Sequence, residues 1–165
     1  MGLERLSVLH IDDHANMRKI VSAILRSLGV QFLYQANDGA DGIDAMRIYR
    51  PDVVIVDWEM QGITGIEFIG LIRKASDSPN PYVPIIFLTS HSDPQHVREA
   101  RDAGVSEYLI KPVSASALYS RFMSIINRPR PFVSSRDYFG PCRRRNKTYD
   151  YKGPERRVSE IMLED

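Results

Sequence analysis

Val53-Val54-Ile55-Val56-Asp57 is a run of four β-branched aliphatic residues closed by a carboxylate. Unbroken apolarity of this kind suits a strand buried on both faces, which occurs where helices cover both sides of a parallel sheet. Working outward, short apolar runs recur at residues 6–11, 30–36, 84–88 and 105–110, separated by stretches with helical spacing. Five strand and helix pairs result, the signature of an α/β doubly wound sheet. The first, third and fourth runs are the most apolar and are expected at the centre of the sheet.

The helices announce their own ends. Met17, Ile20, Val21, Ile24, Leu25 and Leu28 fall on one stripe, and Gly29 follows as a stop. Thr64-Gly65-Ile66-Glu67 has the spacing of a capping box, and Asp93-Pro94 supplies a cap followed by proline at the first helical position, with Gly104 as the stop. A fifth helix buries Leu118, Phe122, Ile125 and Ile126. Arg128-Pro129-Arg130-Pro131 then ends the pattern, because each proline removes a donor and restricts its predecessor.

With 165 residues and 43% apolar composition the chain can hold one ordinary domain and an extension. Its net charge of +1 conceals an asymmetry: residues 1–127 carry 12 basic and 15 acidic groups, the rest 10 and 6. The single Cys142 can form no internal disulfide. No stretch approaches the roughly 20 apolar residues of a membrane span, and no signal-peptide pattern opens the sequence, so a cytoplasmic protein without membrane insertion is expected.

In an open parallel sheet, ligands bind beyond the carboxyl ends of the strands. The polar residues there are Asp12 and Asp13, Asp57, Thr89 and Ser90, and Lys111. Three carboxylates held together repel one another unless a cation joins them, and Mg2+ is the natural occupant. A carboxylate can also attack phosphorus, and Asp57 is best placed to do so. Taken singly, Asp12 and Asp13 could cap a helix, Asp57 and Lys111 could form a plain salt bridge, Thr89-Ser90 could be a turn, and Tyr108 an ordinary strand residue. His10 reads as a satisfied core histidine, whereas His14, His91 and His96 lack the spacing of a helical zinc pair.

Asp12-Asp13, Asp57, Thr89, Tyr108 and Lys111-Pro112, in that order across residues 4–127, resemble the receiver domains of two-component response regulators, the CheY-like family. The resemblance implies a flavodoxin-like (βα)5 fold with strand order 2-1-3-4-5 and phosphorylation of Asp57 by a histidine kinase or histidine phosphotransfer protein. It further implies Mg2+ held by Asp12, Asp13, Asp57 and the main-chain carbonyl of Glu59, and a cis Lys111-Pro112 bond. Lys111 would pair with the phosphoryl group, and Thr89 and Tyr108 would switch the face of helix four, strand five and helix five. Glu59 and His91 flank the path of the hydrolytic water and are expected to set the phosphate lifetime. Gln61 departs from a frequent proline, and Trp58 is bulky for its position. A downstream protein target is the expected output, homodimerisation through the same face being left open, and no enzyme of repeated turnover is expected.

Residues 128–165 read as an irregular basic arm in which Tyr-x-Gly-Pro-x-Arg-Arg occurs twice, at Tyr138–Arg144 and Tyr151–Arg157. Gly-Pro suggests a turn, and Arg143, Arg144, Arg156 and Arg157 could grip anions, packing the arm on the receiver or on a partner. Two other readings remain: a DNA-binding regulator using this arm, although nucleic acid is not the expected partner, and an aspartyl-nucleophile phosphatase. The phosphatase would place an aspartate where Glu59 stands.

Overall fold

The computed structural model describes residues 2–144 and the backbone of residues 159–161. After a short turn at Leu3–Arg5, strands and helices alternate: β1 (Ser7–Ile11), α1 (Ala15–Ser27), β2 (Phe32–Ala36), α2 (Gly39–Tyr49), β3 (Val53–Asp57), α3 (Gly65–Lys74), β4 (Ile85–Thr89), α4 (Pro94–Ala103), β5 (Glu107–Ile110) and α5 (Ala115–Asn127). The strands are parallel and ordered β2-β1-β3-β4-β5, so the three most apolar runs are interior.

Side-chain alternation along those strands makes two apolar layers. Leu9, Ile11, Val54, Val56 and Phe87 pack with Phe68, Ile72 and Ala100 on the α2–α3–α4 side. Val8, Ile55, Ile86 and Leu88 pack with Val21, Leu25, Leu118 and Phe122 on the α1–α5 side. Ile20 is an exception to the expected stripe and is 51% exposed. It sits one residue, about 100° of helix, from Val21, which takes the inward position.

Both helix N-termini foreseen in the sequence form. Thr64 and Glu67 satisfy each other's backbone amides at α3, and Asp93 accepts the His96 N–H at α4. Strands β2 and β5 begin two residues later than the apolar runs. Val30 and Val105 donate their amides to Leu25 and Ala100, completing helix ends at Gly29 and Gly104, both of which have left-handed φ. Among the described residues, no helix is long and apolar enough to cross a membrane.

The extension is more regular than an irregular arm. β6 (Phe132–Ser134) pairs antiparallel with β7 (Phe139–Pro141) and with β8 (Ser159–Ile161). Gly140-Pro141, expected as a turn, lies in β7 because Tyr138 donates its hydroxyl to the Pro141 carbonyl and Gly140 meets Gly104 closely. A Cβ on Gly140 would stand 3.0 Å from the Gly104 Cα. Phe132 is buried against Tyr82 and Phe139, under the Arg73 guanidinium. Arg73 is itself buried and donates to the carbonyls of Gly104 and Pro81. Arg130 donates to the carbonyls of Val105 and Cys142, and Arg143 pairs with Asp102 while covering the Tyr138 ring. The hairpin thus closes the amino end of β5, opposite the strand ends that bear Asp57. The second Tyr-x-Gly-Pro-x-Arg-Arg unit, including Arg156 and Arg157, lies outside the described residues.

Truncating a buried phenylalanine costs about 3–5 kcal/mol. Phe132→Ala is therefore expected to undock the hairpin and speed amide exchange at Cys142, whose N–H donates to the Pro131 carbonyl, by about 100-fold or more. Equal, rapid exchange in both proteins would show that the hairpin does not dock.

Candidate functional site

The sheet register determines which side chains meet. Ile11 is level with Val56, Asp57 with Leu88, and Thr89 with Ile110. The residue leaving each strand, Asp12, Asp57, Thr89 or Lys111, therefore arrives at the same edge. Gly65 opens α3 directly over this edge, where a Cβ would lie 2.2 Å from the Asp57 carbonyl oxygen, so only glycine permits the approach.

Asp12 and Asp57 are buried and Asp13 is partly exposed. One ligand atom from each of Asp12, Asp13, His14 and Asp57 lies within 4.8 Å of the others. Lys111 Nζ stands 2.5 Å from Asp57 Oδ1, and the Lys111-Pro112 bond is cis as expected. Asp12 Oδ1 accepts the His14 N–H, but among the described residues Asp12 Oδ2 and Asp57 Oδ2 have no hydrogen-bond donor. Burial pushes the Asp57 carboxyl above the usual range; the Lys111 ammonium opposes this, and Asp12 and Asp13 add to it. Buried carboxylate oxygens without donors, crowded by like charge, fit a hard divalent cation that takes oxygen ligands.

Gln61 explains its own departure from proline. Its backbone N–H donates to Asp13 Oδ2 at 3.0 Å. Proline has no such hydrogen to give. Arg18 anchors the Asp12 carbonyl from α1.

His10 is buried beneath Asp12, as a core residue should be. Among the described residues neither ring nitrogen has a hydrogen-bond partner, and Nε2 is 3.9 Å from Asp12 Oδ2. Burial, then the charges of Arg18 and Lys111, hold its pKa down to about 3, so the ring is neutral at physiological pH.

The switch candidates are joined through the β4–α4 loop. Thr89 is buried and its Oγ1 accepts the His91 N–H at 2.9 Å, while Tyr108 donates its hydroxyl to the His91 carbonyl. Ser90 is exposed. Glu59 and His91 face one another, Oε1 to Nε2 at 2.9 Å. Arg143 and Arg144 are far from this edge, at the end of the hairpin. Sequence spacing had given no sign that His14 would join the carboxylates or that His96 would stack on His91 at 4.1 Å. Both contacts come from backbone turns that a search for helical spacing does not capture.

The response regulator receiver domain model matches residues 8–123. Chemotaxis protein CheY-3 of Vibrio cholerae is 31% identical over 125 residues, covering 76% of this chain and 95% of that protein. Chemotaxis protein CheY of Pseudomonas aeruginosa is 30% identical over 123 residues, 74% of this chain and 98% of that protein. Among solved structures, the chemotaxis response regulator CheY4 of Vibrio cholerae superposes with a TM-score of 0.66 at 29% identity, covering 73% of this chain and 98% of that one. The acidic strand-end cluster, the 2-1-3-4-5 sheet and these matches have one common explanation: the chain belongs to the response regulator receiver family of two-component signalling.

Proposed function

We propose that this chain is a phosphoacceptor: Asp57 takes a phosphoryl group from a histidine kinase or histidine phosphotransfer protein, and the resulting state is read by a protein partner. The observation that carries this reading is the buried Asp57 carboxylate, paired with Lys111 and crowded by Asp12 and Asp13. Asp12, Asp13, Asp57 and the Glu59 carbonyl would hold Mg2+, which when bound neutralises phosphoryl oxygens and makes the transfer favourable. An Asp57 oxygen bonds to phosphorus as the donor's phosphorus–nitrogen bond breaks. Lys111 balances the charge on the phosphoryl oxygens. Hydrolysis returns inorganic phosphate and the free carboxylate, so the chain assists its own reset without being an enzyme of repeated turnover.

Only a contact that differs between the two states can drive a switch. Thr89 supplies it: its hydroxyl turns toward a phosphoryl oxygen, with Ser90 at the mouth, and gives up the His91 N–H that it accepts in this state. Tyr108, tied to the His91 carbonyl, follows. The change reaches the face of α4, β5 and α5, where Val97, Ile110 and Tyr119 are exposed apolar residues suited to a protein partner or a second copy. A receiver at residues 4–127 with a basic extension at 128–165 is the organisation this reading takes, in the cytoplasm. The docked hairpin argues against DNA binding through Arg143, because that guanidinium already pairs with Asp102.

Incubation with Mg2+ and acetyl phosphate is expected to add one phosphoryl group by intact mass to the wild-type chain and none to Asp57→Ala. Equal labelling of the variant, or none of the wild type, would overturn the assignment. Glu59 and His91 stand together over the water path, so Glu59→Ala and His91→Ala should each change the rate of phosphate loss, with Lys111→Ala instead reducing its uptake. Unchanged decay in both of the first two variants would remove them from that role.

A further inference from the structure

His91 and His96 are five residues apart, a spacing that gives no helical metal pair, yet the turn from β4 into α4 lays their rings face to face, 4.1 Å apart and 8° from parallel. Asp93, the N-cap of α4, lies between them in sequence and contacts His96 Nδ1 through Oδ2 at 2.5 Å. One ligand atom each from His91, Asp93 and His96 lies within 4.8 Å of the others. Glu59 Oε1 approaches His91 Nε2 from the loop after β3 at 2.9 Å. We propose that His91, Asp93 and His96 form a second metal site, for a transition ion of the zinc class, with Glu59 beside His91 as a neighbouring carboxylate, separate from the acidic pocket of Asp12, Asp13 and Asp57.

The donor set decides the ion. Two imidazoles and a carboxylate suit zinc, cobalt or nickel, whereas Mg2+ seeks oxygen ligands and keeps its waters. Zinc bonds of about 2.0–2.1 Å place tetrahedral ligand atoms about 3.3 Å apart. Closing from 4.8 Å therefore asks the two rings to turn out of their parallel stack, so that an in-plane nitrogen lone pair of each faces the ion. Both rings can do so: His91 is 35% exposed and His96 32%, open to solvent on one side. On the other side the Trp58 ring meets each imidazole edge-on, at 5.7 and 5.1 Å.

The backbone is prepared as well. The His91 N–H donates to Thr89 Oγ1, its carbonyl accepts the Tyr108 hydroxyl, and the His96 N–H is capped by Asp93. An ion at this place joins the loop after β3 to the start of α4 and restrains the segment that bears Thr89. The binding claim does not rest on phosphorylation of Asp57.

The test titrates Co2+ into the full chain with Mg2+ saturating, following ligand-field absorption and the fluorescence of Trp58, the single tryptophan. Zn2+ then competes. One Co2+ is expected to bind, quench Trp58 and be displaced by Zn2+. His91→Ala and His96→Ala should each weaken binding by about 10- to 100-fold or more, since even supporting residues of metal sites cost that much. Both rings are partly exposed, and circular dichroism verifies that the variants fold. Asp12→Asn/Asp13→Asn, with the acidic pocket disabled, should keep the Co2+ binding that the histidine variants lose. Absence of binding in the wild type, equal binding in the histidine variants, or loss confined to the Asp12→Asn/Asp13→Asn chain would each overturn the proposal.

Discussion

Three carboxylates share one edge of a sheet whose central strands are otherwise almost wholly apolar, and a single ammonium is too little to balance them. That electrostatic imbalance organises the rest of the molecule. Asp57 is buried with one oxygen on Lys111 and, among the described residues, one with no donor, and its carboxyl is pushed upward chiefly by burial. A pocket of this kind is unstable against anything that brings positive charge and oxygen ligands together, which is what a divalent ion with a phosphoryl group supplies. The apolar strands serve this arrangement by fixing the register that brings four separate strand ends level.

The opposite pole of the sheet is held by different chemistry. There, arginines stand in for the missing core: Arg73 and Arg130 donate to backbone carbonyls and Arg143 covers Tyr138, fastening a short hairpin over the start of β5. Guanidinium suits this work because its planar fork can satisfy carbonyls while its face lies on an aromatic ring. The described part of the extension, residues 128–144, packs at the amino end of β5, the end away from Ile110.

The fold was legible because its signals are local. Val53–Val56, the stripe of α1 and the caps at Thr64 and Asp93 each depend on a few neighbouring residues, and they form, with Ile20 the one stripe position that faces solvent. Asp12, Asp13, Asp57, Thr89 and Lys111 were legible because parallel strands bring their ends to one edge. What could not be read depends on contacts between distant segments. The stacking of His91 on His96 follows from a loop conformation. The docked hairpin needed Arg73 and Tyr82 to wait on the receiver, and nothing in the local sequence of residues 128–144 reveals that.

If charge crowding is the governing constraint, the chain should gain stability from Mg2+ through the acidic pocket alone. Thermal unfolding with and without Mg2+ measures this most directly. At a concentration 100 times its Kd, the ion should stabilise the wild-type chain by about 2.7 kcal/mol. In Asp12→Asn/Asp13→Asn the gain should vanish, while the metal-free variant, relieved of repulsion, should melt higher than the metal-free wild type. An equal response to Mg2+ in both proteins, or a variant that melts lower without metal, would contradict the account.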